Sequence, residues 1–182
     1  YTSAFLAIGD IIVGMDIGTS KVSIVIGEVN NFNQIEVIYT DSQKCRGIKK
    51  GKIIDEDEIV LAVTKLIKNA EIDANLTINS TYITIPGKYV TIVQNSILKD
   101  AKDRYAGISM KDVSASIMQV SDIDIPEGKQ IIDIVTDRFI LENGRIVQDP
   151  VGSLSSSFTL KAQIILADKE YIKKITNILK RA

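Results

Sequence analysis

The first part of the chain alternates apolar runs with short polar turns, a pattern that predicts a strand meander. Ile11–Asp16 is a continuous apolar run that ends in a carboxylate, as expected of a central, fully buried strand. Val22–Val29 and Ile35–Tyr39 predict two more strands, separated by the turn cluster "NNFNQ". The first forty residues are therefore expected to form three consecutive strands.

Three helices are predicted from caps and from apolar residues at helical spacing. Asp55 and Glu58 have the spacing of a helix start, and the helical periodicity that follows reaches about Ala70. Ser109–Val120 and Asp168–Lys180 are predicted to be helices on the same grounds. The residues expected on the buried face of the middle helix are Met110, Val113, Ile117 and Val120.

The order of the remaining predicted strands indicates two structural units, one of them inserted into the other. The pattern from Tyr89 to Gln148 indicates strand, helix, strand and strand, with an Asn-Gly hairpin before the last strand. A further strand, Phe158–Leu166, is predicted to return to the first unit together with the last helix. We therefore expect one discontinuous unit, 11–86 with 158–182, and an insertion at 87–157. Residues 1–10 are interpreted as a leader or a cloning remnant.

Composition narrows the function classes. The 182 residues are 45% hydrophobic and 25% charged, which is ordinary for a globular protein, and they suffice for one medium or two small domains. The net charge of −1 provides no basic field for nucleic acid or an anionic membrane. Cys45 is the single cysteine, so an internal disulfide is impossible and a reducing cytoplasm is expected. Since there is no histidine, catalysis by Ser-His or Cys-His pairs is excluded.

The turn "DIGTSK" between the first two strands carries the chemistry. Gly18 allows a positive φ, so that successive N–H groups could point inward and bind an anion. Thr19 and Ser20 add hydroxyl donors, and Lys21 adds a positive charge. Asp16 could hold Mg²⁺ through water, because this ion prefers a few carboxylates and keeps most of its waters. The turn is thus either a phosphate cradle or an ordinary glycine hairpin with polar residues.

The order of these features resembles the first phosphate hairpin of the actin, Hsp70 and sugar-kinase superfamily. Within it, "IIVGMDIGTSKVSIVIGEV" is similar to the FtsA family, and "RGIKKGKIID", "TYITIPGKYV" and "DPVG" fall where that family has similar segments. The resemblance covers roughly Ile11 to Ala182. Two features depart from it: "VTDRFILENG" lacks a proline, and Ile165 stands where a histidine is common. A PilM-type pilus assembly protein and a sugar-kinase-like enzyme are the alternatives, beside a purely structural domain.

The resemblance implies a fold and a site. The fold class is α/β (α+β): an actin-like (ribonuclease H-like) subdomain 1A with an inserted strand-helix-strand-strand (SHS2) subdomain 1C. ATP and Mg²⁺ are the implied cofactors. The implied cofactor-binding residues are Asp16, Gly18, Thr19, Ser20 and Lys21, with Asp16 also holding the metal through water.

The family also implies partners. An FtsA-type protein is an actin-like ATP-binding protein that polymerises and tethers the FtsZ ring to the inner face of the cell membrane at midcell. Subdomain 1C is expected to contact other subunits and late division proteins. The second phosphate loop, the FtsZ-binding subdomain and the C-terminal membrane helix belong to the part of the family that follows the equivalent of Ala182. We therefore expect half of an ATP site here, weak ATP binding and no enzyme activity.

Overall fold

The computed structural model describes residues 6–103 and 105–182. Ten strands and three α-helices are described, and one short 3₁₀ turn covers Gly87–Tyr89. Their bounds are β1 Ile11–Ile17, β2 Lys21–Val29, β3 Ile35–Lys44, β4 Ile48–Lys49, β5 Lys52–Ile53, α1 Glu56–Ala74, β6 Tyr82–Ile83, β7 Val90–Asp100, α2 Met110–Val120, β8 Lys129–Leu141, β9 Ile146–Val147, β10 Ser157–Asp168 and α3 Lys169–Arg181.

The chain folds into two compact units, and both contain a sheet and helical residues. The first unit combines the residues up to Pro86 with Ile172–Ala182, and the second unit is Gly87–Tyr171. The strands form two four-stranded sheets and one small hairpin of β4 and β5. The α/β class predicted from the sequence is therefore confirmed.

The first sheet has the order β3-β2-β1-β6. β1, β2 and β3 are antiparallel neighbours, as the meander pattern predicts, and β6 pairs parallel to β1. Val13, Met15 and Ile17 are buried, whereas Ile11 and Asp16 are exposed. The expectation of a fully buried β1 is wrong: Asp16 points to the face away from the core because alternate side chains point to opposite faces, and Ile11 is exposed at the start of the strand.

α1 packs against the buried face of this sheet, on β2 and β3. Its N-cap is Asp55, whose side chain accepts a hydrogen bond from Glu58 N at 3.0 Å. The Glu58 carboxylate accepts from Arg46 N at 2.7 Å. The helix ends four residues beyond the predicted end, where Asn75 adopts a left-handed conformation with φ 51°.

The second sheet corrects the predicted place of the strand at 158–166. β10 pairs with β7 on one side and with β8 on the other, so the order is β7-β10-β8-β9. The assignment of this strand to the first unit is wrong: it is an inner strand of the second sheet. The last strand of the strand-helix-strand-strand order is therefore β10, because the predicted strand near Ile146 has only two residues and lies at the edge.

The buried side of the second sheet is covered by α2. Ser109 caps this helix in a capping box with Asp112, as its position predicted. Val113 and Val120 are buried, and Ile117 packs against the core. Met110 is 64% exposed, so its predicted place on the buried face is wrong. It is the first residue of the helix, where the apolar stripe has not yet reached the sheet.

Gly9 and Asp10, just before β1, extend the pairing of β1 with β2. Gly9 N donates to Val29 O at 2.8 Å, and Val29 N donates to Asp10 O at 3.0 Å. Gly9 and Asp10, which the sequence placed in a leader, thus take part in the fold. The rest of that predicted leader lies partly outside the described residues, since the description begins at residue 6.

A first prediction concerns Gly47, which lies against the start of α1. A Cβ at Gly47 would be 2.5 Å from the carbonyl oxygen of Asp55 and 2.5 Å from Cγ1 of Ile59. Gly47→Ala is expected to destabilise the first unit by about 1–3 kcal/mol through overpacking, measured by urea denaturation. Gly87→Ala is the control, because a Cβ there meets nothing within 4 Å. Equal midpoints for the two variants would contradict the packing at Gly47.

A second prediction tests the place of β10. Phe158 is fully buried, and its ring centroid lies 6.0 Å from that of Phe139. Phe158→Ala is expected to cost about 3–5 kcal/mol. Amide hydrogen exchange should accelerate in β7 and β8 and stay unchanged in β1 and β2. Faster exchange in β1 and β2 alone would show that β10 supports the first unit instead.

Candidate functional site

The five residues predicted to bind a cofactor lie together on the β1–β2 hairpin. β1 ends at Ile17 and β2 begins at Lys21, so Gly18, Thr19 and Ser20 form the turn. Gly18 N donates to Lys21 O at 3.0 Å and closes this turn. Ser20 O accepts from Cys45 N at 3.1 Å, which ties the turn to the residue after β3.

Gly18 serves the turn in a different way from the one predicted. Its φ is not positive, so the expected left-handed conformation is wrong. A glycine is favoured here because a Cβ would lie 3.1 Å from the Lys21 carbonyl oxygen. The Gly18 N–H is used to close the hairpin, so it does not contribute to the predicted row of inward N–H groups.

A row of oxygen-bearing side chains crosses the face of the first sheet that lies opposite α1. Asp16 is directly opposite Ser23, and Ser23 is directly opposite Ser42. Thr84, which follows β6, donates its hydroxyl to Oδ1 of Asp16, and its N–H donates to Met15 O at 3.1 Å. The carboxylate is therefore held in one orientation by the residue that follows the neighbouring strand β6.

A pair of lysines lies next to this row. Lys21 is the direct cross-strand partner of Lys44, and both are exposed. Opposed residues of an antiparallel pair project to the same face, so the two ammonium groups lie on the face that carries Asp16 and Ser23. The turn end of this face is thus positively charged, and a carboxylate and hydroxyls follow it along the strands.

The side chains of this row and Lys21 line an open groove of about 710 Å³, whereas Lys44 is not among its lining residues. Asp16 and Lys21 are among its lining residues, whereas Gly18, Thr19 and Ser20 are not. The sequence predictions missed most of the lining on β2, β3 and β6. The lining residues are Gly14, Met15, Asp16, Lys21, Ser23, Ile24, Val25, Thr40, Asp41, Ser42, Tyr82, Ile83 and Thr84.

The donor set suits a hard cation at Asp16. Among residues 6–103 and 105–182 there is no group of three or more His, Cys, Asp or Glu side chains that could hold a metal ion. Asp16 offers one carboxylate beside the hydroxyls of Ser23 and Thr84, and such oxygen ligands with retained waters are what Mg²⁺ accepts. A metal here would depend on Asp16 and on oxygen atoms of a ligand.

Cys45 supports the turn through its backbone. Burial raises the pKa of its thiol, and the nearby Gly47 N–H lowers it only in part. The side chain is 1% exposed. A buried thiol with a raised pKa is a poor nucleophile, so Cys45 acts as a small core residue.

Comparison with known proteins finds one matching family model and several similar proteins. Residues 87–166 match the family model described as "SHS2 domain inserted in FTSA". The chain is 24% identical over 173 residues to the cell division protein FtsA of Pseudomonas aeruginosa, covering 95% of this chain and 41% of that protein. It is 22% identical over 173 residues to FtsA of Bacillus subtilis, with coverages of 95% and 39%.

Two further observations bound what the similarity supports. The chain spans about two fifths of the length of these curated relatives. The diol dehydratase-reactivating factor is a similar solved structure at 14% identity, covering 70% of this chain and 19% of that one, but its TM-score of 0.33 supports no argument.

In the part of the chain that the structure describes, no helix combines the length and the apolar character needed to cross a membrane.

Proposed function

Since this chain is of the FtsA type and carries at residues 87–166 an SHS2 domain of the kind inserted in FtsA, we propose that its β1–β2 hairpin binds the phosphates of ATP together with Mg²⁺. The observation that carries the proposal is the single face that presents Lys21, Asp16, Ser23 and Thr84 to one open groove. Cationic, hydroxyl and carboxylate groups on one face are what a metal-bound polyphosphate requires.

Each side chain has a distinct role in this proposal. Lys21 neutralises a phosphate as a point charge. Asp16 orients the waters of Mg²⁺, and the Thr84 hydroxyl holds that carboxylate in place. The hydroxyls of Ser23 and Ser42 donate to phosphate oxygens. When bound, Mg²⁺ supplies positive charge that offsets the charge of the phosphates.

We assign protein contacts to the second unit. On the strands β7 and β8, Ile92, Leu98 and Val135 are between 41% and 66% exposed. Exposed apolar side chains on a sheet suit contacts with other FtsA subunits or with late division proteins. Polymerisation, attachment to the FtsZ ring and to the membrane, and a place at the inner face of the membrane at midcell are proposals for the whole protein. The contacts with FtsZ and the membrane are assigned to parts of the relatives that this chain does not span.

We propose that the chain by itself is not an enzyme. Its groove is open and is lined from one side by the first sheet, so a bound nucleotide would stay in contact with water. Transfer of a phosphoryl group requires a positioned nucleophile and charge stabilisation around it. The SHS2 match favours the FtsA type over a sugar-kinase-like enzyme or a PilM-type protein.

Calorimetric titration of Mg-ATP into the chain tests the phosphate site. We expect binding weaker than about 10 μM, because one side of the nucleotide is contacted. Lys21→Ala should weaken binding further, and Asp16→Ala should remove its dependence on Mg²⁺. Lys65→Ala is the matched control, since Lys65 is exposed on α1, which covers the opposite face of the sheet.

Two results would contradict the proposal. Equal affinities in the wild-type chain, Lys21→Ala and Asp16→Ala would show that ATP binds away from the hairpin. The same loss in Lys65→Ala as in Lys21→Ala would show that overall charge, and not the hairpin, controls the binding.

A further inference from the structure

The cross-strand pair of Lys21 and Lys44 is unfavourable unless something else compensates for it. The two residues are directly opposed in the β2–β3 ladder, beside the turn. Like charges in directly opposed positions of a sheet destabilise it. Within residues 6–103 and 105–182, neither lysine forms an ion pair with a carboxylate. The repulsion between the two lysines is therefore reduced only by solvent or by an anionic ligand.

The next pair along the ladder has the complementary chemistry. Ser23 and Ser42 are opposed to each other, two residues from Lys21 and Lys44 on the same strands and the same face. Neighbouring strands lie about 4.8 Å apart, and residues two positions apart along a strand are separated by about 6.7 Å. Two ammonium groups and two hydroxyls therefore form a four-cornered array of donors, which can contact more than one linked phosphoryl group.

We propose that Lys44 is a second phosphate-binding side chain, which acts with Lys21 and selects a di- or triphosphate over a monophosphate. This inference rests on the proposed function of the hairpin and extends it to β3. A single phosphate is neutralised by Lys21 alone, whereas a longer chain of phosphates reaches the cation on the neighbouring strand. Ligand binding also relieves the repulsion between the two lysines.

The ligand dependence of binding separates a contact from a general charge effect. We expect Lys44→Gln to weaken binding of Mg-ATP and of inorganic tripolyphosphate about fivefold, since a charge-assisted contact is lost. Binding of AMP should change less than twofold. Lys44→Arg should retain the preference for the longer phosphates. Lys52→Gln, at an exposed lysine on β5, is the control of equal charge.

Thermal unfolding without ligand gives a second readout. At low salt, Lys44→Gln should raise the unfolding temperature of the first unit, because the opposed positive charge is removed. The gain should shrink at high salt. Tripolyphosphate should raise the unfolding temperature of the wild-type chain more than that of Lys44→Gln.

The outcomes distinguish this inference from the proposed function. If Lys21→Gln loses affinity for Mg-ATP and Lys44→Gln does not, the hairpin site stands and the role of Lys44 is refuted. If Lys52→Gln weakens binding as much as Lys44→Gln, the effect is one of net charge and the inference fails. If the wild-type chain binds neither Mg-ATP nor tripolyphosphate at millimolar concentration, both fail.

Discussion

The register of the β1–β2 hairpin is the constraint on which the candidate site depends. The turn is closed by the hydrogen bond from Gly18 N to Lys21 O, and the ladder that follows pairs Asp16 with Ser23. A slip of one residue would move every side chain to the other face of the sheet. Asp16 and Ser23 would then enter the core, and the buried apolar residues of β1 would face the groove. The packing of α1 against β2 therefore also fixes the chemistry of the opposite face.

The two units use the same physical arrangement for different purposes. In each, a helix covers one face of a four-stranded sheet and leaves polar or mixed residues on the other. The free face of the first sheet carries a carboxylate, hydroxyls and two lysines, and one of these lysines, Lys21, lines an open groove. The free face of the second sheet exposes apolar side chains such as Leu98. The charged groups make the free face of the first sheet suitable for a small anionic ligand. The exposed apolar side chains make the free face of the second sheet suitable for protein contacts.

Local signals in the sequence were sufficient to predict the secondary-structure elements. They were not sufficient to predict which strands pair when those strands are far apart in the sequence. The caps Asp55 and Ser109 and the three-strand meander depend on neighbouring residues, so they could be predicted. The place of β10 could not, because its pairing with β7 joins residues as far apart as Val90 and Ala167. The predictions found Asp16 and Lys21 but missed Ser42 and Thr84. Ser42 was missed because the predicted third strand ended at Tyr39, whereas β3 continues to Lys44, and Thr84 was missed because it follows β6, whose pairing with β1 joins distant residues. These two reach the site through the pairing of β3 with β2 and through the hydroxyl of Thr84 beside β1.

The central claim is that the sheet face at the β1–β2 hairpin binds phosphate. Mapping of amide chemical shifts on addition of Mg-ATP tests it most directly, because the signals report the site residue by residue even when binding is weak. The account predicts shifts around Asp16, Lys21 and Ser42, with none in α2. Shifts that spare the hairpin and cluster in the second unit, or no shift at saturating Mg-ATP, would contradict it.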